Sequence, residues 1–152
     1  MPTTDTRQID PRGPRFGAAI TSVVLAAALI LGGTPGLVLL AVQAAVFALG
    51  AGLGLAAQPY GWIFRRFVRP RLAPPAELED ERPPRFAQTV GLGFALVGLA
   101  GGLAGVPVVF YVATGFALVA ALLNAVFAFC LGCELYLLGR RLRRPAGAGA
   151  GA

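Results

Sequence analysis

The sequence contains no histidine, no lysine and a single methionine, and it has only two cysteines in 152 residues. Histidine is the commonest metal ligand and the usual general base near neutral pH, so much of the ordinary catalytic repertoire is missing. Two cysteines are too few for the framework of a secreted disulfide miniprotein. They also cannot close a four-ligand zinc or iron–sulfur site within one chain. We therefore expect no metal site within the chain and no bound cofactor.

Charge is scarce as well, because only 13% of the residues are charged and 57% are hydrophobic. Two stretches carry no charge at all, Phe16–Phe64 with 49 residues and Phe86–Cys133 with 48. About 20 helical residues cross the roughly 30 Å hydrocarbon layer of a bilayer, so each stretch holds two spans and a turn. The pattern predicts an integral membrane protein. It excludes a soluble Rossmann or barrel enzyme and a nucleic-acid-binding domain.

Glycine and proline divide each uncharged stretch into two helices. The clusters at 32–36 and 105–107 are the strong helix breakers. The fourth predicted helix is too long for a simple span and should emerge into the headgroup region. The sequence thus predicts an all-α membrane protein, a four-helix bundle with transmembrane helices at Phe16–Leu31, Gly36–Ala57, Phe86–Ala104 and Val108–Leu138.

All 13 cationic residues are arginines, and every one lies outside the two uncharged stretches. The positive-inside rule then places both termini and the central loop in the cytoplasm. Orientation against an anionic leaflet accounts for the net charge of +6, so no nucleic-acid partner is expected. The predicted organisation is a cytoplasmic segment 1–15, hairpin 16–57, a cytoplasmic amphipathic and acidic loop 58–85, hairpin 86–138, and a basic, then disordered Ala/Gly-rich tail 139–152.

The two hairpins resemble each other in sequence. Arg12-Gly13-Pro14-Arg15-Phe16 opens the first, and Arg82-Pro83-Pro84-Arg85-Phe86 opens the second 70 positions later. Ala45-Val46-Phe47-Ala48 recurs 80 positions later at 125–128. Because both copies would enter from the cytoplasm, the pattern predicts tandem parallel repeats about an axis along the membrane normal.

Small residues at helical spacing predict where the helices approach closely, since glycine and alanine let membrane helices pack backbone to backbone. The alternative is that these residues are simply abundant, with 21 glycines in the chain. The predicted stripes are Ala41, Ala45, Ala48 and Gly52; Ala121, Ala125, Ala128 and Gly132; and Gly91, Ala95, Gly98, Gly102 and Gly105.

The central loop begins with a segment that mixes aromatic residues and arginines. Trp62, Arg65, Arg66 and Arg69 are predicted to lie at the membrane interface, where rings suit the headgroup level and arginine stems reach phosphate. The acidic run at 77–81 is either a solvated linker or a docking site for a basic partner.

Cys130 and Cys133, with Glu134 beside them, form the one constellation with chemical potential. A helical spacing of three brings their Cα atoms to about 5 Å, within disulfide range. Paired cysteines near the cytoplasm are more often redox-active or metal-binding than structural. A position towards a helix C-terminus and next to a carboxylate would, however, raise the thiol pKa. Three interpretations stay open: a redox pair, small packing residues, or four thiolates shared by a dimer.

The polar residues within the spans are Gln43, Thr89, Thr114 and Asn124, with Glu134 near the edge. An amide in hydrocarbon needs a partner, so hydrogen bonds between helices are the expected role. Lining the path of a small solute is the alternative.

Three motifs in order resemble the bacterial membrane proteins of domain-of-unknown-function family 4395. They are the stretches 9–16, 73–88 and 130–136, and the resemblance covers nearly the whole chain. It implies a multi-pass protein of the bacterial inner membrane with no assigned activity. Members are often encoded near thioredoxin-like and rhodanese-like sulfurtransferase proteins, which favours thiol or sulfur handling.

The sequence therefore supports three hypotheses of function and does not itself indicate an enzyme. The first is a thiol-redox or sulfur-relay component that uses Cys130 and Cys133 with a thioredoxin-like or sulfurtransferase partner. The second is a small transporter that oligomerises through its small-residue stripes and passes a solute by Gln43 and Asn124. The third is a noncatalytic scaffold that recruits a partner through the charged loop.

Overall fold

The computed structural model describes residues 7–144, and the terminal segments lie outside them. A two-residue strand precedes each pair of long helices, and a shorter helix follows each pair. In chain order the elements are β1 (Gln8–Ile9), α1 (Arg12–Leu31), α2 (Gly33–Gly52), α3 (Pro59–Ile63), β2 (Glu79–Asp80), α4 (Arg82–Leu103), α5 (Pro107–Phe127) and α6 (Leu131–Arg143). The disordered tail predicted at 145–152 falls outside the described residues.

Four of these helices, α1, α2, α4 and α5, are 20 to 22 residues long and apolar enough to cross a membrane. This confirms the prediction of four membrane-capable helices. Helices α1 and α4 begin four residues earlier than predicted, at Arg12 and Arg82. Asp10 and Asp80 explain the difference, because their carboxylates accept hydrogen bonds from the backbone N–H groups of Arg12 and Arg82 at 3.0 and 2.9 Å. Each aspartate thus satisfies a helix-start amide that has no partner within the helix.

Helix α2 ends at Gly52, not at Ala57 as predicted. Arg85 donates to the carbonyls of Ala51 and Gly52, both at 3.0 Å, and so takes acceptors that a continuing helix would use. The chain then turns at Gly54, whose φ of 99° favours glycine. Immediately afterwards the buried carboxylate of Glu81 accepts from the backbone N–H of Leu55 at 2.9 Å.

The fourth helix is also shorter than predicted, and this is the main correction to the sequence analysis. It ends at Phe127, and a separate helix begins at Leu131. Arg15 causes a similar termination, since it donates to the carbonyls of Ala125 and Val126 at 3.0 and 3.2 Å. The break itself lies at Ala128, which adopts a left-handed conformation with φ 54°.

The four long helices pack in a ring, in the order α1, α2, α4, α5 and back to α1. Strands β1 and β2 pair antiparallel beside the starts of α1 and α4, with Ile9 opposite Glu79. Helix α6 lies mainly on α4. The core between the long helices consists of Leu25, Leu40, Ala44, Phe47, Ala95, Phe110 and Ala117.

The small-residue stripe predicted on α4 is a packing face for most of its length. An added Cβ on Gly91 would lie 2.8 Å from the Phe47 ring, and one on Gly98 would lie 3.0 Å from Leu40. Gly105 does not share this role, because it lies in the turn after α4 with a φ of 78°.

The stripe predicted on α2 is wrong as a packing face within the chain, because Ala41, Ala45 and Ala48 are exposed. The buried face of α2 carries the larger side chains Leu40 and Phe47, which fill the space left by glycines of α4. The stripe predicted on the fourth helix is interrupted by the break at residue 128, so its last member belongs to α6.

A substitution in α4 tests this packing. Gly98→Ala should destabilise the fold by about 1 to 3 kcal/mol, because the new methyl group overpacks the contact with Leu40 and Thr114. Gly93→Ala on the same helix is the matched control, since a Cβ there has no neighbour within 4 Å, and it should change stability by no more than about 1 kcal/mol. The measurement is thermal unfolding in detergent. Equal effects of the two substitutions would show that α4 does not pack through Gly98.

Candidate functional site

Cys130 and Cys133 lie in the first turn of α6. Cys130 is the N-cap residue, with extended backbone angles of φ −91° and ψ 102°. Its Sγ accepts a hydrogen bond from the backbone N–H of Cys133 at 3.2 Å, and its carbonyl accepts from Glu134 at 3.0 Å. The two sulfurs form a disulfide, and the Cα atoms are 5.1 Å apart. The pair therefore sits at a helix N-terminus, and the predicted position towards a C-terminal end is wrong.

This correction reverses the expected electrostatic effect on the thiols. A helix N-terminus presents unpaired N–H groups and a partial positive charge, which stabilise a thiolate and lower its pKa. The stabilisation is greatest for Cys130, because its sulfur accepts a hydrogen bond from the backbone N–H of Cys133. Glu134 lies in the same first turn and opposes the effect, but its side chain is exposed and therefore well screened. We therefore expect Cys130 to be the better nucleophile of the two in the reduced state.

Both cysteines line a groove at the end of the bundle, which we call the outer groove. It has a volume of about 430 Å³ and lies between α6, strand β2 and the first turns of α1 and α4. Charged side chains of both signs and several prolines line it. The residues are Pro11, Pro14, Arg15, Glu79, Asp80, Pro83, Pro84, Asn124, Ala128, Phe129, Cys130, Cys133, Glu134 and Leu137.

A second space, the inner cavity, extends from Cys130 into the bundle. Its volume is about 280 Å³, and residues of all four long helices and of α6 line it. Thr21, Gln88 and Asn124 are its uncharged polar residues, and the rest of the wall is mostly alanine, glycine and larger apolar residues. Cys130 lines the inner cavity as well as the outer groove, whereas Cys133 lines only the outer groove.

A third space, the lateral groove, runs between α4 and α5 on the outside of the bundle. It has a volume of about 580 Å³, and valines and phenylalanines dominate its lining. It shares Val90, Phe94 and Phe116 with the inner cavity. The rings of Phe94 and Phe116 lie against each other there, with their centroids 6.1 Å apart.

The structure brings the predicted polar residues to different places. Gln43 is fully buried; it donates to the Thr21 hydroxyl at 3.3 Å and accepts from the Tyr60 hydroxyl at 2.8 Å. Burial raises the pKa of the Tyr60 phenol, so this donor stays protonated at neutral pH. Asn124 lies between the outer groove and the inner cavity, and Glu134 is exposed on the outer groove. Gln43 therefore links α2 to α1 and α3 by hydrogen bonds, at a place apart from Asn124.

Gln58 and Gln88 form a contact that is not among the sequence predictions. The Gln58 amide donates to Gln88 Oε1 at 2.6 Å and to the Val46 carbonyl at 3.3 Å. A signal was present, because Gln88 precedes Gly91 by three positions and so continues the packing stripe of α4. A polar residue on a small-residue packing stripe, such as Gln88, is therefore a better candidate for a hydrogen bond between helices than one chosen only by its depth within the span.

The segment predicted to lie at the interface is exposed and mixed in character. Trp62 belongs to α3 and packs edge to face on Phe67, with centroids 5.9 Å apart. Arg65, Arg66 and Arg69 follow with exposed side chains, and Arg65 donates to the Ala56 carbonyl at 2.8 Å. Exposed rings beside exposed guanidinium groups suit a headgroup layer, and the interfacial location stays a prediction.

Comparison with known families identifies the chain. The model of the family described as Domain of unknown function (DUF4395) matches residues 9–141, from β1 into α6. The chain belongs to this family. No curated protein and no solved structure matches the chain. Within residues 7–144, histidine, cysteine, aspartate and glutamate side chains form no group of three that could hold a metal ion. The family description assigns no chemistry, so the cysteine pair and its surroundings must support any proposal of function.

The two thiols should differ in reactivity when each is present alone. In the Cys133→Ser variant, Cys130 should alkylate several-fold faster at pH 7 than Cys133 does in the Cys130→Ser variant, because the start of α6 favours its thiolate form. The measurement is the rate of iodoacetamide reaction against pH. A faster Cys133 would mean that the helix N-terminus does not activate Cys130.

Proposed function

We propose that this protein is a multi-pass component of the bacterial inner membrane in which Cys130 and Cys133 exchange electrons with a soluble thiol protein. The observation that carries the proposal is the cysteine pair in the first turn of α6, on the wall of the outer groove. A partner protein can reach a groove at the end of the bundle, whereas it cannot enter a span.

The arginines support an orientation with both termini in the cytoplasm. Within residues 7–144 they occur before β1, at the starts of α1 and α4, in the segment after α3 and at the end of α6. The turns at 32–33 and 104–106, at the opposite ends of the long helices, have none. The positive-inside rule then assigns the outer groove to the cytoplasmic side.

The contacts support a tandem duplication as the origin of this arrangement. Ile9 and Glu79, 70 positions apart, lie opposite each other in the β1–β2 pair, as a two-fold axis between repeats requires. Arg15 terminates α5 and Arg85, also 70 positions later, terminates α2, so the repeats exchange equivalent contacts. Helices α2 and α5 begin 74 positions apart and end 75 apart, which replaces the offset of 80 inferred from the short alanine-rich motif.

The repeats differ where chemistry would occur. Helix α3 follows the first pair as α6 follows the second, and its N-cap residue is Gln58, where α6 has Cys130. Gln58 is held by hydrogen bonds to Gln88 and Val46, which is a structural role. The thiol function thus belongs to the second repeat alone.

Exchange with the partner requires one intermediate. The Cys130 thiolate attacks the partner's disulfide, a bond forms between the two proteins, and the partner's second sulfur leaves as a thiolate. The Cys133 thiolate then attacks Cys130, the intramolecular disulfide forms, and the partner leaves with two thiols. The reverse sequence carries electrons from the partner to this protein through the same mixed disulfide.

The other hypotheses have less support. Transport past Gln43 and Asn124 would need both amides in one passage, but Gln43 is fully buried and hydrogen-bonded to Thr21 and Tyr60. Association of two copies and recruitment of a partner by the charged loop stay predictions.

Trapping the mixed disulfide tests both the exchange and the orientation. In inside-out membrane vesicles, reduced Cys133→Ser should accumulate a covalent complex with a bacterial thioredoxin that keeps only its first active-site cysteine, activated as a mixed disulfide with thionitrobenzoate. Cys130 displaces thionitrobenzoate, and the complex persists because neither protein has a second thiol to resolve it. Cys130→Ser should give at most about a tenth as much, since its remaining thiol is less activated. The readout is the shifted band on a non-reducing gel.

Right-side-out vesicles are the control for orientation, and they should give no complex until detergent is added. A complex only in these vesicles would overturn the cytoplasmic assignment and leave the exchange intact. No complex in either kind of vesicle would contradict the exchange itself.

A further inference from the structure

Three spaces lie in series through this molecule, and the cysteine pair stands between two of them. The lateral groove and the inner cavity share Val90, Phe94 and Phe116. The inner cavity and the outer groove share Cys130 and Asn124, together with two prolines. Cys130 thus separates a charged groove from a largely apolar route to the outside of the bundle.

The inner cavity and the lateral groove favour an uncharged amphiphile. Among residues 7–144, no charged side chain lines either space. The inner cavity, at about 280 Å³, is close to the lower end of the ~300–1,000 Å³ range of ligand sites. It suits a compact, mostly apolar head, and the lateral groove suits an apolar tail that continues into lipid.

The polar groups of the inner cavity suit a carbonyl oxygen on that head. Gln88 accepts the Gln58 amide through Oε1, which leaves its own NH₂ group to donate. The Asn124 side chain is partly exposed, lines the same cavity and offers a second amide donor. Phe94 and Phe116 place aromatic rings where the inner cavity meets the lateral groove.

We propose that the inner cavity binds a membrane quinone, which oxidises the cysteine pair; the inference rests on the proposed thiol exchange. A quinone has the required carbonyl oxygens, planar ring and apolar tail, and it accepts two electrons, as a dithiol donates two. In the step, the Cys130 and Cys133 thiols lose two electrons and two protons and form their S–S bond. The quinone takes up both electrons and both protons and leaves as the quinol.

The two cysteines differ in the spaces that they line. The quinone reaches Cys130 from the inner cavity, and the soluble partner reaches the pair from the outer groove, where Cys133 also lies. Electrons then flow from the partner's dithiol through the pair to the quinone pool. Neither reactant needs to cross the bundle, because the disulfide lies in the shared wall.

The test uses the full-length protein in lipid nanodiscs with the pair reduced and excess reductant removed. The probes are duroquinone, whose ring is fully substituted so that thiols cannot add to it, and a menaquinone with a single isoprenoid unit. Quinol formation is followed by absorbance, and remaining thiols are counted by maleimide mass shift. We expect one quinol for each dithiol oxidised, and none in the Cys130→Ser/Cys133→Ser variant.

Two substitutions locate the site. Ala121→Leu fills the inner cavity and should slow quinol formation at least tenfold without reducing exchange with thioredoxin. Ala41→Leu, which adds the same atoms on an exposed face of α2, should have no effect. Asn124→Leu removes a donor from the same wall and should raise the apparent KM for the quinone. This variant tests the site if Ala121→Leu does not fold.

The outcomes separate this inference from the proposed function. Wild-type protein that exchanges with thioredoxin but forms no quinol from either probe would overturn the quinone site and leave the exchange standing. Quinol formation unaffected by Ala121→Leu and Asn124→Leu would overturn the inner cavity as the site. Failure of the thioredoxin exchange in the wild type would instead remove the function on which the inference rests.

Discussion

The contact between Arg15 and the end of α5 determines where the cysteines lie. Its guanidinium donates to the carbonyls of Ala125 and Val126, which a continuing helix would use four residues later. The chain therefore stops its helix at Phe127 and turns through Ala128. A left-handed alanine costs about 1 to 2 kcal/mol, so other contacts must offset it. Those contacts are the Arg15 hydrogen bonds and the packing of α6 on α4.

The docking of α6 follows from that turn and creates the site. Gly132 lies against Ala87, where an added Cβ would come within 2.5 Å of the Ala87 Cα atom, and Tyr136 lies beside Phe86. In this position the first turn of α6 covers the junction of the outer groove and the inner cavity. A continuous helix would instead leave both thiols in mid-helix, without free N–H groups near them. The chemistry proposed for Cys130 thus depends on a break in a helix.

Features that depend on local sequence can be predicted for this chain, whereas features that depend on contacts between distant residues cannot. Four membrane-capable helices follow from two charge-free stretches, because each apolar residue contributes independently to membrane preference. The break at Ala128 has no local signal, since neither glycine nor proline occurs between residues 116 and 131, and its cause, Arg15, is 110 residues away. For the same reason the sequence pattern places the cysteine pair near the C-terminal end of a helix, whereas the pair lies at the N-terminal end of α6. Small residues on α2 do not identify its packing face, because they occur on its exposed face as well as on its buried one.

One cross-linking measurement tests the broken helix most directly. In the Cys130→Ser/Cys133→Ser background, cysteines at Phe86 and Tyr136 should join readily through a short bifunctional maleimide, since the native rings are 5.8 Å apart. The pair Phe86 and Leu138 is the matched control and should react poorly, because two helical residues turn position 138 about 200° away from the face on which Tyr136 meets Phe86. A continuous fourth helix would carry residue 136 about 14 Å beyond Phe127, away from the start of α4. Absence of the Phe86–Tyr136 cross-link in folded protein would therefore contradict the placement of Cys130 at a helix N-terminus.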